Sequence, residues 1–434
     1  MEKLKELPGG ICAPRGFKAG GVRAGIKAGA SKRDLALVYS DRPCSSAAVF
    51  TRNRVQAASV IVSREHLKKS GGRIRALIAN SGNANACTGE TGLAAARRMA
   101  ALGAEKLALR PEECAVASTG VIGVPLPLPL IEAAMDELAA SLCTGADGAL
   151  AALEAIMTTD TRKKQGALQC TLPRAHDIRI GAMTKGSGMI HPSMATMICL
   201  ITTDAALSPA MLDRALRRAV DRSFNRLTVD GDMSTNDMVL IMAGGAAENE
   251  PIETEGEAYE VFAGALETLC VKLARAMARD GEGASRLITV TVAGAASEAD
   301  AAVLARSVAG SSLVKAACFG ADANWGRVLC ALGYAGIPFD PAAAAISFKS
   351  AEGSIPVCRD GASLPFSEAE AKKILSRDEI EILIDLNGRR AGQAESFSGG
   401  SEGAGSGSAG PGSASAWGCD LSFEYVKING DYRS

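Results

Sequence analysis

The stretch Lys185-Gly-Ser-Gly-Met-Ile-His-Pro-Ser-Met-Ala-Thr196 runs from a glycine-rich turn through a small residue, Ala195, to a hydroxyl residue. An apolar, β-like run from Met197 to Thr202 follows it. A chain cut before Thr196 would begin with a threonine that carries both a hydroxyl and a free α-amine. A hydroxyl is a weak nucleophile until a base takes its proton, and an amine on the same residue supplies that base. Ser118-Thr119-Gly120 is a small, glycine-flanked turn that can present a hydroxyl beside a backbone N–H, the donor pair an oxyanion requires. Thr158 belongs to a hydroxyl cluster, Met157 to Thr161, at the end of a predicted helix. Glu282 lies between Gly281 and Gly283, where a ligand can approach closely. Each feature also has an ordinary reading, a buried strand threonine for Thr196 and plain turns for the rest. Taken singly, that ordinary reading is the commoner one.

These residues need elements to hold them. Arg75 to Asn80 reads as a buried strand and Gly92 to Leu109 as an Ala/Leu-rich helix behind it. Further helices are predicted over Pro129 to Leu142 and Ala149 to Met157. Strands are predicted at Ile178 to Met183 and Met197 to Thr202, on either side of the opening motif. Ser208-Pro209 is a helix start, an N-cap serine with proline in the first turn, and its helix runs to about Phe224. Met238 to Met242 reads as a strand and Gly256 to Arg279 as a long helix. A third section opens with the strand Leu287 to Val292 and a capped helix from Ser297, with later strands at Ile346 and Ile380 to Leu386. Trp417 to Asn429 alternates like a strand. The mixture is α+β, with sheets and helices in layers. Ser396 to Ser413 is rich in Gly, Ser and Ala, a composition that cannot bury a core, and reads as a loop.

Composition narrows the partners. At 434 residues, 47% hydrophobic and 22% charged, with a formal net charge of −1, the chain is an ordinary globular protein. That charge gives no electrostatic reason to bind nucleic acid or an anionic membrane, and small polar metabolites suit it better. The twelve cysteines contain no Cys-x-x-Cys pair and there are three histidines, so no zinc site is expected, and no other metal. Scattered cysteines in apolar settings point to a reducing cytoplasm. The N-terminal residues have no apolar signal core, and no window approaches the ~18 apolar residues of a membrane span.

In combination and in this order the motifs resemble one family, the ornithine acetyltransferases of arginine biosynthesis, often bifunctional as glutamate N-acetyltransferases. The matching stretches are Gly9 to Phe17, Ala79 to Gly89, Ser118 to Gly123, Lys185 to Asp204, Asn225 to Asp237, Asp280 to Ala284, Gly320 to Arg327, and Ala416 to Asp420 with Val426 to Asn429. They cover nearly the whole chain.

The resemblance implies an αββα-like core, similar to N-terminal-nucleophile-type enzymes, with a smaller C-terminal α/β domain. It implies self-cleavage between Ala195 and Thr196 into an α chain, 1–195, and a β chain, 196–434. Within the β chain, 196–285 completes the catalytic core and 286–434 forms the C-terminal domain with its Gly/Ser-rich loop at 396–413. It further implies Thr196 as nucleophile and Thr119 (hydroxyl) and Gly120 (N–H) as oxyanion hole. Thr158, Lys185, Thr196, Glu282, Asn429 and Ser434 are the implied substrate contacts. Lys185 suits a substrate carboxylate and Glu282 an amine. The substrates implied are N2-acetylornithine and glutamate, exchanged by double displacement with no cofactor, in an assembly of two α and two β chains. Whether acetyl-CoA also serves as acetyl donor stays open.

The chain departs from the family pattern in the length of its Ser396–Ser413 segment, and in Ser193, where asparagine is expected. Ser434 stands where threonine is also found. Two other readings remain. A self-processing amidohydrolase or aminopeptidase would share Thr196 and the oxyanion donors without the Lys185, Glu282 and Asn429 set. A non-catalytic binding or assembly protein would be expected to have lost Thr196, Thr119 or Glu282, all of which are present.

Overall fold

The computed structural model describes residues 4–27, 29, 31–191, 197–387 and 412–430. The expected cleavage site Ala195/Thr196, the contact Ser434 and most of the Gly/Ser-rich segment lie outside the described residues. Contacts divide the chain into two units, 1–225 with 233–273, and 226–232 with 274–434.

The strands of the first unit are β1 (Lys5–Glu6), β2 (Phe17–Val22), β3 (Leu35–Ser40), β4 (Ser45–Phe50), β5 (Ala76–Asn83), β6 (Cys114–Val121), β7 (Lys164–Leu172), β8 (His176–Lys185), β9 (Ile198–Thr203) and β10 (Met238–Ala243). Its helices are α1 (Ala58–Lys69), α2 (Gly89–Leu107), α3 (Leu128–Ala140), α4 (Gly145–Ile156), α5 (Pro209–Asp221) and α6 (Glu257–Arg279), the last of which runs on into the second unit. The strands form a four-stranded sheet in the order β2-β3-β5-β6 and a six-stranded sheet in the order β1-β7-β8-β9-β10-β4.

Strand pleating places alternate residues on opposite faces, and here both faces of each sheet are apolar. Val38, Leu77, Ala79 and Ala117 of the smaller sheet join Met183, Leu200 and Leu240 of the larger one in a single core, with Leu153 and Ile156 of α4 at its side. The opposite face of the smaller sheet, with Leu37, Ile78 and Val116, packs on Val62 of α1, Met99 of α2 and Ile131 and Met135 of α3. On the larger sheet α5 packs against β4 and β10, and Leu269 of α6 lies beside Gly166 of β7. Arg218 of α5 pairs with Glu260 of α6 at 2.6 Å. The layers therefore run helices, sheet, sheet, helices, the αββα arrangement expected.

The expected N-cap of α5 is present: the Ser208 hydroxyl accepts the Met211 N–H at 3.3 Å. β8 and β9 pair antiparallel, with Lys185 opposite Ile198, so the motif that opened the sequence analysis joins two neighbouring strands of the larger sheet.

The second unit carries β11 (Leu287–Ala293), β12 (Ala345–Ser350), β13 (Gly353–Arg359), β14 (Ala362–Ser363), β15 (Glu379–Asp385) and β16 (Ala414–Cys419). Its helices are α7 (Glu298–Gly310), α8 (Ser312–Gly320), α9 (Trp325–Gly333), α10 (Glu368–Leu375) and α11 (Phe423–Asn429). The strands form one sheet, β14-β13-β12-β15-β11-β16, cored by Val290, Leu304, Val308, Phe348 and Ile382. Trp417 to Asn429 is not one strand. β16 ends at Cys419, because the next carboxylate, Asp420, turns the chain by accepting the N–H groups of Ser285 and Arg286 at 2.8 and 2.9 Å. The following residues close into α11.

Gly21 of β2 lies where α4 comes closest. A Cβ there would sit inside the contact distance of the Ala151 backbone carbonyl, whereas a Cβ at Gly264 in α6 meets nothing within 4 Å. Gly21→Ala is therefore expected to lower unfolding stability by about 1–3 kcal/mol, the usual cost of overpacking. Gly264→Ala should raise it by roughly 0.5–1 kcal/mol by restricting the unfolded helix segment. Urea unfolding of both variants checks the pair.

Candidate active site

β6 is an edge strand of the four-stranded sheet, paired only with β5 among the described strands. A residue in a strand aims its N–H and C=O to the same side, so every second residue of an edge strand faces away from the ladder. On β6 that outward row has specific partners. The Cys114 carbonyl accepts from His66 Nδ1 at 2.8 Å, and Ser63 Oγ donates to the Val116 carbonyl and accepts its N–H at 2.6 and 2.8 Å. The Ser118 carbonyl accepts from Asn236 Nδ2 at 2.7 Å. Gly120 is next in the same row, which puts its N–H on the outward side.

Gly120 has φ of +133°, a region open to glycine, and a Cβ there would collide with the β5 backbone at Gly82 and Asn83. The ladder is irregular at that point, where Asn83 opposes both Thr119 and Val121.

Thr119 is buried, and its Oγ1 accepts a hydrogen bond from Lys185 Nζ at 3.2 Å. An ammonium has no lone pair to accept with, so the Thr119 hydroxyl proton stays free for another acceptor. The end of β6 thus offers a hydroxyl and an outward N–H side by side, polarised by a cation.

Lys185 itself is only 3% exposed, and burying a charge is costly without compensation. Asp160 supplies it. This buried carboxylate pairs with Lys164 at 2.7 Å and accepts the N–H groups of Thr158 at 2.9 Å and Gly186 at 2.7 Å. Burial alone would raise its pKa. Lys185 and Lys164, together with the Gly186 N–H, overcome that and hold it at about 2. Thr159 Oγ1 and Ser187 Oγ are 2.7 Å apart, a second tie between the same two turns. Thr158, Lys185 and Thr119 are thereby brought together as one cluster.

Lys27 adds another cation. Its Nζ donates to the Met157 carbonyl at 2.7 Å, and its stem lies over Gly82. Burial pushes the ammonium down to about 8; Asp34 opposes the shift, while Lys185 and Lys32 add to it. Sequence reading missed Lys27, Asp160 and Asn236 as parts of this site. Asp160 stood inside the hydroxyl cluster and Asn236 inside a matching stretch, but the contacts of Asp160 with the end of β8 and of Asn236 with β6 join segments apart in sequence.

In the second unit, Glu282 follows α6 and is 7% exposed. Asn429, at the end of α11, donates from Nδ2 to Glu282 Oε2 at 2.9 Å and to the Tyr425 carbonyl at 3.1 Å. The turn before α11 is tied down by Ser422 Oγ, which donates to the Gly283 carbonyl at 2.6 Å. Burial, then the carboxylates of Asp230 and Glu282, push the Tyr425 phenol well above its ordinary range. Asp230 and Glu282 thus set two carboxylates near the Tyr425 phenol. Among the described residues no group of His, Cys, Asp and Glu is arranged to hold a metal.

A layered α+β scaffold that sets a hydroxyl, an edge amide and a buried ammonium together offers the kind of donors that acyl transfer uses. The ArgJ family pattern matches residues 18–434. The arginine biosynthesis bifunctional protein ArgJ of Symbiobacterium thermophilum is 50% identical over 432 residues, covering 99% of this chain and all of that protein. Its namesake from Caldanaerobacter subterraneus subsp. tengcongensis is 46% identical over 431 residues, again with 99% of this chain and all of the relative covered. The chain belongs to the ArgJ family.

Loss of the Asp160 charge removes a buried carboxylate from beside the buried cations Lys164 and Lys185. Asp160→Asn is expected to cost about 3–5 kcal/mol of stability at pH 7, the range for breaking one side of a buried ion pair. A carboxylate held below its ordinary pKa stabilises the fold above that ordinary value and loses the contribution as pH falls through the lowered one. The gap between wild type and variant should therefore narrow, by about 2 kcal/mol, as pH falls from 3.8 toward 2. Denaturant titrations at pH 7, 4 and 2.5 measure it, and a gap independent of pH would contradict the charge assignment.

Proposed function

We propose that the enzyme moves the acetyl group of N2-acetylornithine to glutamate through an acetyl ester on Thr196, giving ornithine and N-acetylglutamate. The observation that carries this reading is the donor pair at the end of β6, Thr119 hydroxyl beside the outward Gly120 N–H, held against Lys185. Membership of a family whose relatives are named for arginine biosynthesis over their full length supplies the pathway.

In the proposed sequence the chain first cleaves itself between Ala195 and Thr196. The freed Thr196 α-amine takes the hydroxyl proton as Oγ attacks the acetyl carbon, and the carbonyl electron pair moves onto oxygen. Thr119 and Gly120 receive that oxyanion. Collapse of the intermediate breaks the C–N bond, and the proton returns from the α-amine to the leaving ornithine amine. The amine of glutamate then attacks the ester, Thr196 Oγ leaves and regains a proton, and N-acetylglutamate forms. Two acyl transfers replace one difficult amide exchange.

Lys185 and Thr158 are proposed to meet a substrate carboxylate, and Glu282 with Asn429 the amine-bearing end, with Ser434 as a further contact. The chemistry draws on these side chains and the Thr196 amine, without metal or cofactor. Acetyl-CoA as a second acetyl donor, an assembly of two α and two β chains, and residence in the cytoplasm complete the proposal. A reducing compartment fits the twelve free thiols. Simple amide hydrolysis is the less favoured reading, since the similarity to arginine-biosynthesis proteins extends across the whole chain.

Incubation with labelled N-acetylornithine and glutamate should give labelled N-acetylglutamate, and denaturing electrophoresis should show fragments 1–195 and 196–434. Thr196→Ala should stay a single chain and lose at least about 10⁴-fold in activity. Thr119→Ala should keep cleavable enzyme but lower kcat by about 10²–10³-fold, the effect of removing one oxyanion donor. A wild type that stays intact, or one that releases acetate at the same rate with and without glutamate, would overturn the proposal.

A further inference from the structure

The turn before β10 carries two consecutive side chains that reach opposite parts of the first unit. Asn236 is buried and donates from Nδ2 to the carbonyls of Ala84 at 2.6 Å and Ser118 at 2.7 Å, while its Oδ1 accepts from Thr235 Oγ1 at 2.6 Å. Ser118 is the residue before Thr119. Asp237, fully buried, accepts the N–H of Met197 on Oδ1 at 3.0 Å. Met197 is the residue after Thr196, and the N–H that Asp237 holds belongs to the peptide bond joining the two. The Met197 carbonyl in turn accepts the Met238 N–H at 3.0 Å, so this residue is gripped from both sides by the start of β10.

We propose that Asn236 and Asp237 are positioning residues for acyl transfer, a two-residue clamp that fixes the strand bearing the oxyanion donors relative to the chain that continues from the nucleophile. The inference rests on the function proposed above and extends it. Because the two side chains spring from adjacent residues, one covalent backbone sets the spacing between Ser118 and Met197. Neither contacts the reacting atoms in this scheme; each acts one residue away from a group that does.

The surroundings of Asp237 suit a neutral acid. Burial pushes its carboxyl well above the ordinary carboxylate range, against the Met197 N–H, the Thr51 and Ser234 hydroxyls and the charge of Lys185. The Thr51 hydroxyl is committed to the Ser234 carbonyl at 2.7 Å. What the clamp needs from position 237 is therefore an acceptor oxygen of the right reach, not a charge, and asparagine provides one.

Asp237→Ala, Asn236→Ala and Asp237→Asn test the clamp in the full chain, with self-cleavage followed by electrophoresis. Acetyl-enzyme burst size counts competent sites, so that kcat is expressed per competent site and separated from folding losses. Each alanine variant should lower kcat per site by about 100-fold, the cost of misplacing a reacting group by about 1 Å, with KM for N-acetylornithine little changed. Asp237→Asn should recover most of the loss. Should Asp237→Ala fail to fold, Asn236→Ala carries the same expectation alone. Wild-type kcat per site in Asn236→Ala, or a loss confined to KM, would overturn the clamp. Failure of the wild type itself to cleave and exchange would instead overturn the proposed function.

Discussion

Lys185 carries its ammonium into the interior beside the buried carboxylate of Asp160, and the local geometry around Thr158, Gly186 and Thr119 follows from that pairing of charges. Asp160 does more than balance charge. By accepting the N–H groups of Thr158 and Gly186 it ties the turn after α4 to the end of β8, and Lys185, so restrained, reaches Thr119. Thr158, Lys185 and Thr119, three of the residues expected to bind substrate or oxyanion, are thus connected through one buried carboxylate.

The second requirement is an edge whose outward groups are largely covered. A free strand edge exposes a row of polar groups, and on β6 the row is covered by Ser63 and His66 of α1 and by Asn236. These partners stop before Gly120. Gly120 follows in that row, with a backbone that suits glycine because a Cβ would strike β5 at Gly82 and Asn83. Fixed dipoles of this kind favour a developing oxyanion because they need no reorganisation when charge appears.

Much of this was legible in the sequence for a physical reason: local chemistry leaves local signatures. The Ser208-Pro209 helix start, the alternating strands around Lys185 and the glycine after Thr119 all act through neighbouring residues. The roles of Lys27 and Asn236 depend on partners more than a hundred positions away, and that of Asp160 on bringing the turn after α4 to the end of β8, which no single stretch encodes. The alternation of Trp417 to Asn429 misled beyond Cys419 for the same reason. Its apolar spacing permits a strand, but the contacts of Asp420 with Ser285 and Arg286 bend the chain, and the helix that follows delivers Asn429 to Glu282.

The central claim is that acetyl passes through Thr196. Mixing the enzyme with N-acetylornithine alone, quenching in acid and mapping the peptides by mass spectrometry tests it directly. The account predicts one acetyl group, ester-linked to a Thr196 that stands at the head of the β chain, and its removal when glutamate is added before the quench. An acetyl group found on any other residue, or exchange that proceeds with Thr196 never acetylated, would contradict it.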